Sequence, residues 1–238
     1  MKGILTFMLT ALLAVAASAQ NKGYICTYEM TMSLGDKFDA LEDGPMKDAI
    51  VEQMSKMKMY FTLTFVDGKS LFVLDEERTN NPFAGQAGHT VYIDYNARQQ
   101  VSQENFFGHA FLIPEELDMP AWQLGTEQQR IADRTCSKAT LADSSHTTTA
   151  WFSPETPIPA GPMGYWGLPG LIVRLEMEGA TYTLSDIKVV DNPKPLNAPT
   201  KGKKMSRDEY NTLIQEKLQQ MGVGMGGGGG VQVFQMGN

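Results

Sequence analysis

Histidine is scarce in this chain of 238 residues, with 3 in all, and cysteine scarcer still, with 2. His89, His109 and His146 stand far apart, and none has a metal-type partner at i+2 to i+4. No H-E-x-x-H and no G-x-S-x-G occurs, so the short patterns that place a zinc ion or an acyl-transfer serine are missing. No C-x-x-C occurs either, which removes the motif of a thioredoxin-like redox centre. The glycine run at 226–230 is followed by no Lys-Ser/Thr pair and is therefore not a phosphate loop. Positive charge is in short supply: 20 Lys and Arg stand against 27 Asp and Glu, net charge -7. The one local basic cluster is Lys201, Lys203 and Lys204, too little for a nucleic-acid footprint. Glu76-Glu77 and Glu115-Glu116 read as solvated charges rather than as a general acid and base. The residues thus nominate no catalytic group, no metal set and no cofactor.

Long apolar runs are absent after the first 20 residues, and what stands there has a different use. Lys2 precedes an apolar stretch from Ile4 to Ala17, and Ala17-Ser18-Ala19 gives small residues at a cleavage point, the pattern of a secretory signal. The stretch is shorter than the roughly 20 residues of a membrane-spanning helix. The expectation is a chain exported to the periplasm or outer-membrane surface, beginning at Gln20 and without a transmembrane segment. In an oxidising compartment two cysteines pair by default, which predicts a Cys26–Cys136 disulfide.

Most of the remaining pattern is β. Apolar residues alternate at Tyr24, Cys26, Tyr28, Met30 and Met32, as in a strand. Asp67-Gly68 is a type I′ signal between two β-rich runs. A two-residue loop there sets Phe65 opposite Ser70, Leu63 opposite Phe72 and Phe61 opposite Leu74, gathering the apolar side chains on one face. Further strands are expected at 90–95, 99–104, 106–113, 129–140, 147–152, 171–177 and 181–190, with a short one at 122–125. Met46, Ala49, Ile50, Met54 and Met57 recur at helical spacing after Pro45, predicting a helix at 45–58 whose methionines face a core. Residues 191–204 are a Pro- and Lys-rich linker. Ser206 to Glu209 is a capping box, with Met205 placed to staple against Tyr210, opening an amphipathic helix within 205–221. Residues 222–238 are a Gly/Met-rich tail. The fold class is mainly β, a β-dominated α+β domain over 20–190. It is a strongly curved antiparallel sheet or half-open barrel with one or two packed helices.

The distinctive segment runs from Trp151-Phe152-Ser153-Pro154 through Tyr165-Trp166 to Gly167-Leu168-Pro169-Gly170-Leu171-Ile172. Pro169-Gly170 suits the centre of a type II turn, with Leu168, Leu171 and Ile172 around it. Here the chain resembles the GLPGLI family, which takes its name from this string, intact at 167–172. Ser102-Gln103-Glu104, Phe106-Phe107-Gly108, Trp122, Cys136-x-Lys138-Ala139 and Ala150-Trp151-Phe152 follow that family's order, so the resemblance covers about 24–190. It implies an exported protein of Gram-negative bacteria, chiefly Bacteroidota, without established activity, and it carries over no catalytic residue.

Four readings of function follow. The first is a non-enzymatic envelope protein that binds an apolar ligand or a protein partner, such as an outer-membrane protein, through the curved sheet and the loop Tyr165 to Ile172. The second is an accessory subunit of an outer-membrane transport assembly without a pocket. The third is a hydrolase assembled around His109 or His146. The fourth uses the 15 methionines, Met30-Thr31-Met32 and Met57-Lys58-Met59 among them, to hold Cu(I), against plain apolar packing. Intact mass of the protein purified from the cell envelope is expected to begin at Gln20, within a residue. Full-length protein confined to the cytoplasm would rule export out.

Overall fold

The computed structural model describes residues 22–32, 43–56, 58–79, 89–142 and 147–220. The signal segment, the Gly/Met tail, His146 and Met57 lie outside them. Strands β1 (Lys22–Met32), β2 (Met59–Val66), β3 (Lys69–Leu74), β4 (His89–Asp94), β5 (Gln99–Phe106) and β6 (His109–Glu116) form one meander. Strands β7 (Gln123–Ile131), β8 (Arg134–Ala142), β9 (Thr147–Ser153), β10 (Leu171–Met177) and β11 (Ala180–Asp191) form a second. The two meanders join where β1 pairs antiparallel with β11. A two-residue strand, β12 (Lys203–Lys204), adds to β6 in parallel. The result is a single open sheet in the order β12-β6-β5-β4-β3-β2-β1-β11-β10-β9-β8-β7. It is mostly β, as expected, and it does not close into a barrel.

The hairpin at Asp67-Gly68 has the expected register, Phe61 opposite Leu74, Leu63 opposite Phe72 and Phe65 opposite Ser70. Phe61 and Phe72 stack with centroids 5.0 Å apart. Two further two-residue turns interrupt runs that the sequence reads as continuous. Phe107-Gly108 splits 106–113 into the end of β5 and the start of β6, and Ala132-Asp133 splits 129–140 into β7 and β8. Both residues of each pair have positive φ, 48° and 77° in the first and 47° and 61° in the second, the backbone that a type I′ turn demands.

The sheet curls so that residues from both meanders share one core, including Leu63, Phe72 and Ile93 on one side and Ala150, Phe152 and Leu175 on the other. The outer face is crossed by the linker. Pro193 lies against Gly23, which Val66 also flanks, and Gly202 against the backbone of Ala110 and Phe111. Val66 faces away from the core that Phe65 packs on, because neighbours alternate along a strand. From β2 to β6 is four strand spacings, about 19 Å, and an extended segment of this length reaches about 30 Å, enough for a diagonal crossing.

Two helices are present, α1 (Pro45–Lys56) and α2 (Arg207–Gln220). Helix α2 packs on β6. The expectation that the apolar stripe of α1 fills a core is corrected at its described residues, since Met46 is 77% exposed and Ala49 is exposed too; the side chains of Met54 and Met57 lie outside the described residues. The inner face is occupied instead by the chain between β9 and β10, described below, and by α2 at its edge.

The expected Cys26–Cys136 disulfide is also corrected, since both cysteines are free thiols in the structure. They sit on β1 and β8, with β11, β10 and β9 between those strands in the sheet, and the Cys136 thiol is directed at the Arg134 carbonyl oxygen, 3.6 Å away. Both are fully buried. Burial pushes the Cys26 thiol up to about 12 and raises that of Cys136, so little reactive thiolate forms near neutral pH. A thiol reagent at pH 8 is expected to leave the native protein unmodified and to label both cysteines once it is unfolded without reductant. Unfolded chains that take up no label would mean that the thiols are paired after all.

Candidate functional site

Between β9 and β10 the chain leaves the sheet and folds back under it. Pro and Gly dominate this stretch, so few side chains obstruct a close return, and the backbone groups are satisfied locally. The Ile172 amide donates to the Ala160 carbonyl and the Leu171 amide to the Thr156 carbonyl, each at 3.0 Å, and Gly167 donates to Pro159 at 3.3 Å. From across the β1–β11 seam the Tyr28 hydroxyl donates to the Ile172 carbonyl at 2.6 Å; burial drives the Tyr28 pKa far above its ordinary value, so the hydroxyl stays a donor. A 3-10 turn at Pro162–Gly164 then reaches β3 and β4. Within it Met163 is buried at φ 56°, a left-handed conformation that is rare for a non-glycine residue.

The segment from Tyr165 to Ile172, which contains the GLPGLI string, divides into two parts. Leu168, Leu171 and Ile172 are at most 2% exposed and belong to the core with Ile158, Ala160 and Met163. Pro169 is exposed and Gly170 buried. The expected type II turn is corrected. Its diagnostic bond from the Leu171 amide to Leu168 is not made, because that amide goes to Thr156, while the Gly170 amide donates to the Leu168 carbonyl at 2.8 Å, a three-residue γ-type turn. Glycine is still required at 170. Its φ is 148°, and a Cβ there would lie 2.2 Å from the Ser153 carbonyl oxygen.

Tyr165, Trp166 and Gly167, by contrast, are half-buried at the edge of this plug. The Trp122 indole N–H donates to the Trp166 carbonyl at 2.7 Å, and the Trp122 and Tyr165 rings lie 6.1 Å apart. Trp166 meets Tyr95 of the first meander at 5.6 Å, and Tyr95 meets Phe65 at 5.9 Å. The Tyr95 hydroxyl shares a hydrogen bond with Ser70 at 2.9 Å, and Tyr165 approaches Thr148 at 3.4 Å. Met119 reaches Gly167, where a Cβ would stand 3.1 Å from its sulfur. Met119 and Leu124 are 63% and 64% exposed. The structure therefore adds Tyr95, Trp122 and Met119 to the sequence-derived set. Trp122 alone carried a sequence signal, as a large aromatic in a stretch otherwise hard to assign.

The other candidates fall elsewhere. His109 is exposed at the start of β6. His89, which the sequence did not favour, has its Nδ1 2.7 Å from Glu104. Met30 and Met59 face each other across β1 and β2, with Met59 buried and Met30 packed on the core, while Met32 is 53% exposed. Among the described residues no group of three or more His, Cys, Asp or Glu is placed to hold a metal ion, and no helix is long and apolar enough to cross a membrane.

A family described as "Protein of unknown function (Porph_ging)" matches residues 142–174, which takes in β9, the plug and the start of β10. No curated protein matches the chain in sequence. Among solved structures the fold is similar to PNGF-II. Its C2 crystal gives a TM-score of 0.54 at 12% identity, over 82% of this chain and 33% of that one. Its P21 crystal gives 0.54 at 13% identity, over 83% and 34%. The chain thus spans about a third of the length of PNGF-II, and at this identity the likeness is one of fold alone.

Proposed function

We propose that this is a non-enzymatic protein of the cell envelope, of the kind the GLPGLI resemblance implies. It is exported to the periplasm or the outer-membrane surface and docks a protein partner there. The partner engages the aromatic rim of Tyr165, Trp166 and Trp122, flanked by Met119. One observation carries the reading: the loop is buried at its aliphatic residues Leu168, Leu171 and Ile172 and half-open at the aromatic pair Tyr165-Trp166 that leads into them. Half-open Trp and Tyr beside an exposed methionine match the composition of protein interfaces, where Trp and Tyr concentrate binding energy. An apolar ligand inside the curl is the weaker variant, because Ile158, Met163, Leu168, Leu171 and Ile172 already fill the inner face. Service as an accessory subunit of an outer-membrane assembly is compatible with the same rim.

The string and the aromatic pair before it respond differently to mutation under this reading. Leu168→Ala removes a fully buried side chain and is expected to cost about 2–5 kcal/mol of stability. Trp166→Ala is expected to cost clearly less than that, yet to lose most partner recovery when tagged protein is captured from solubilised envelopes. Equal recovery with Trp166→Ala would leave the rim without a role. Gly170→Ala is the backbone control, and the clash with Ser153 together with the positive φ is expected to lower the melting temperature whatever the rim does.

A further inference from the structure

The inward row of β5 is polar. Gln100, Ser102 and Glu104 stand opposite Ile93, Val91 and His89 on β4 and opposite Glu115, Ile113 and Phe111 on β6. Gln100 and Ser102 are buried, at 5% and 1% exposure. This row separates the main core from a second, smaller cluster of Phe111, Ile113, Met205, Tyr210 and Ile214. One side chain from α2 crosses to it. The Arg207 guanidinium donates to both Glu115 oxygens, at 3.2 Å from Nε and 2.6 Å from Nη2. It also reaches Glu104 and Ser102 at 3.4 Å each. His89 holds the far oxygen of Glu104 at 2.7 Å. Burial raises the Glu104 pKa, but His89 and Arg207 outweigh it and leave the carboxyl below its ordinary value.

The segment that delivers Arg207 is attached chiefly to β6, through the cluster of Met205, Tyr210 and Ile214 with Phe111 and Ile113 and through a short backbone pairing. β12 pairs with β6 at Lys203 and Lys204, the Met205 amide donates to Leu112 at 3.0 Å, and α2 packs on β6. Ser206 and Glu209 close a reciprocal cap at its start, so the helix is defined from within the segment itself.

We propose that residues 203–220 are a displaceable strap. It fills, in cis, a docking site for an extended segment that carries an arginine, and it comes off as a unit while the rest of the sheet stays folded. The site has three parts, each read from what the strap does. The β6 edge takes a short parallel strand, the Glu104–Glu115–Ser102 pocket takes a planar guanidinium, and Phe111 with Ile113 takes the apolar residues flanking it. A pocket with two carboxylates suits the guanidinium fork, which a lysine cannot reproduce. Emptied, it leaves those two carboxylates without their shared cation, so the site favours a replacement arginine. Tethering gives the strap a high effective concentration, so a partner competes only when the strap is weakened or itself bound elsewhere. The proposal is independent of the aromatic rim.

The test uses the full chain with Arg207→Gln and a fluorescent peptide copying residues 201–220. The peptide is expected to bind the variant at least tenfold more tightly than the unaltered protein. Replacing the peptide's own arginine by lysine should abolish most of that gain. Hydrogen exchange of amides 205–218 should be at least tenfold faster in the variant, with β1, β2, β10 and β11 unchanged. A second variant, Ile214→Ser, loosens the strap while leaving both carboxylates and Arg207 in place, and should show the same pattern to a smaller degree. Peptide binding to neither variant would overturn the proposal. So would exchange of the strap only together with the central strands, or failure of both variants to fold, since each would make the segment integral to the sheet.

Discussion

The carbonyl of Ile172 accepts a hydrogen bond from the Tyr28 hydroxyl across the seam between the two meanders, and much of the molecule is arranged around that contact. Ile172 is also held through its amide by Ala160, and its side chain fills the space that Gly161 leaves open. An open sheet of this width would otherwise expose its inner face. The segment before β10 supplies the missing layer, and because it reaches β3 and β4 it fastens the second meander to the first. A buried tyrosine bonded to a main-chain carbonyl is well suited to this, since the donor left alone would carry the full cost of its desolvation.

How much of this was legible from the residues depended on whether the governing physics was local. Asp67-Gly68 announced a hairpin, and its register followed because a slip of one residue would turn Phe61, Leu63 and Phe65 outward. Ala132-Asp133 has the same backbone without glycine, so its turn is set by pairing of the flanking strands and leaves no signal in composition. The apolar stripe of α1 was read correctly as helical, but periodicity does not say whether a face finds a partner, and Met46 has none to bury against. The signature string shows both sides of the matter. The special role of Gly170 was legible, while the reason for it, the approach of Ser153, belongs to a contact made only in the folded chain.

The aromatic rim and the polar row of β5 were the least legible features, for opposite reasons. Tyr95, Trp122 and Trp166 come from separate stretches of chain and meet only because the sheet curls. The strand at 99–104 was legible, but alternation alone assigns a polar row such as Gln100, Ser102 and Glu104 to the solvent side. Here it points inward, and Arg207, distant in sequence, makes that arrangement tolerable. A buried ion pair of this kind is weak evidence for stability and better evidence for specificity of placement.

The seam between β1 and β11 also governs time. Each meander is built from neighbours in sequence and can zip up turn by turn, whereas β1 finds β11 only after nearly the whole described chain lies between them. Closing so long a loop consumes entropy before any contact rewards it. The β1–β11 pairing is therefore the costliest loop closure among the strand pairings of the sheet. Until the last long strand arrives, the edge of β1 stands open and the plug has nowhere to seat, so the rate of this one pairing sets how long the chain stays vulnerable to the wrong partner.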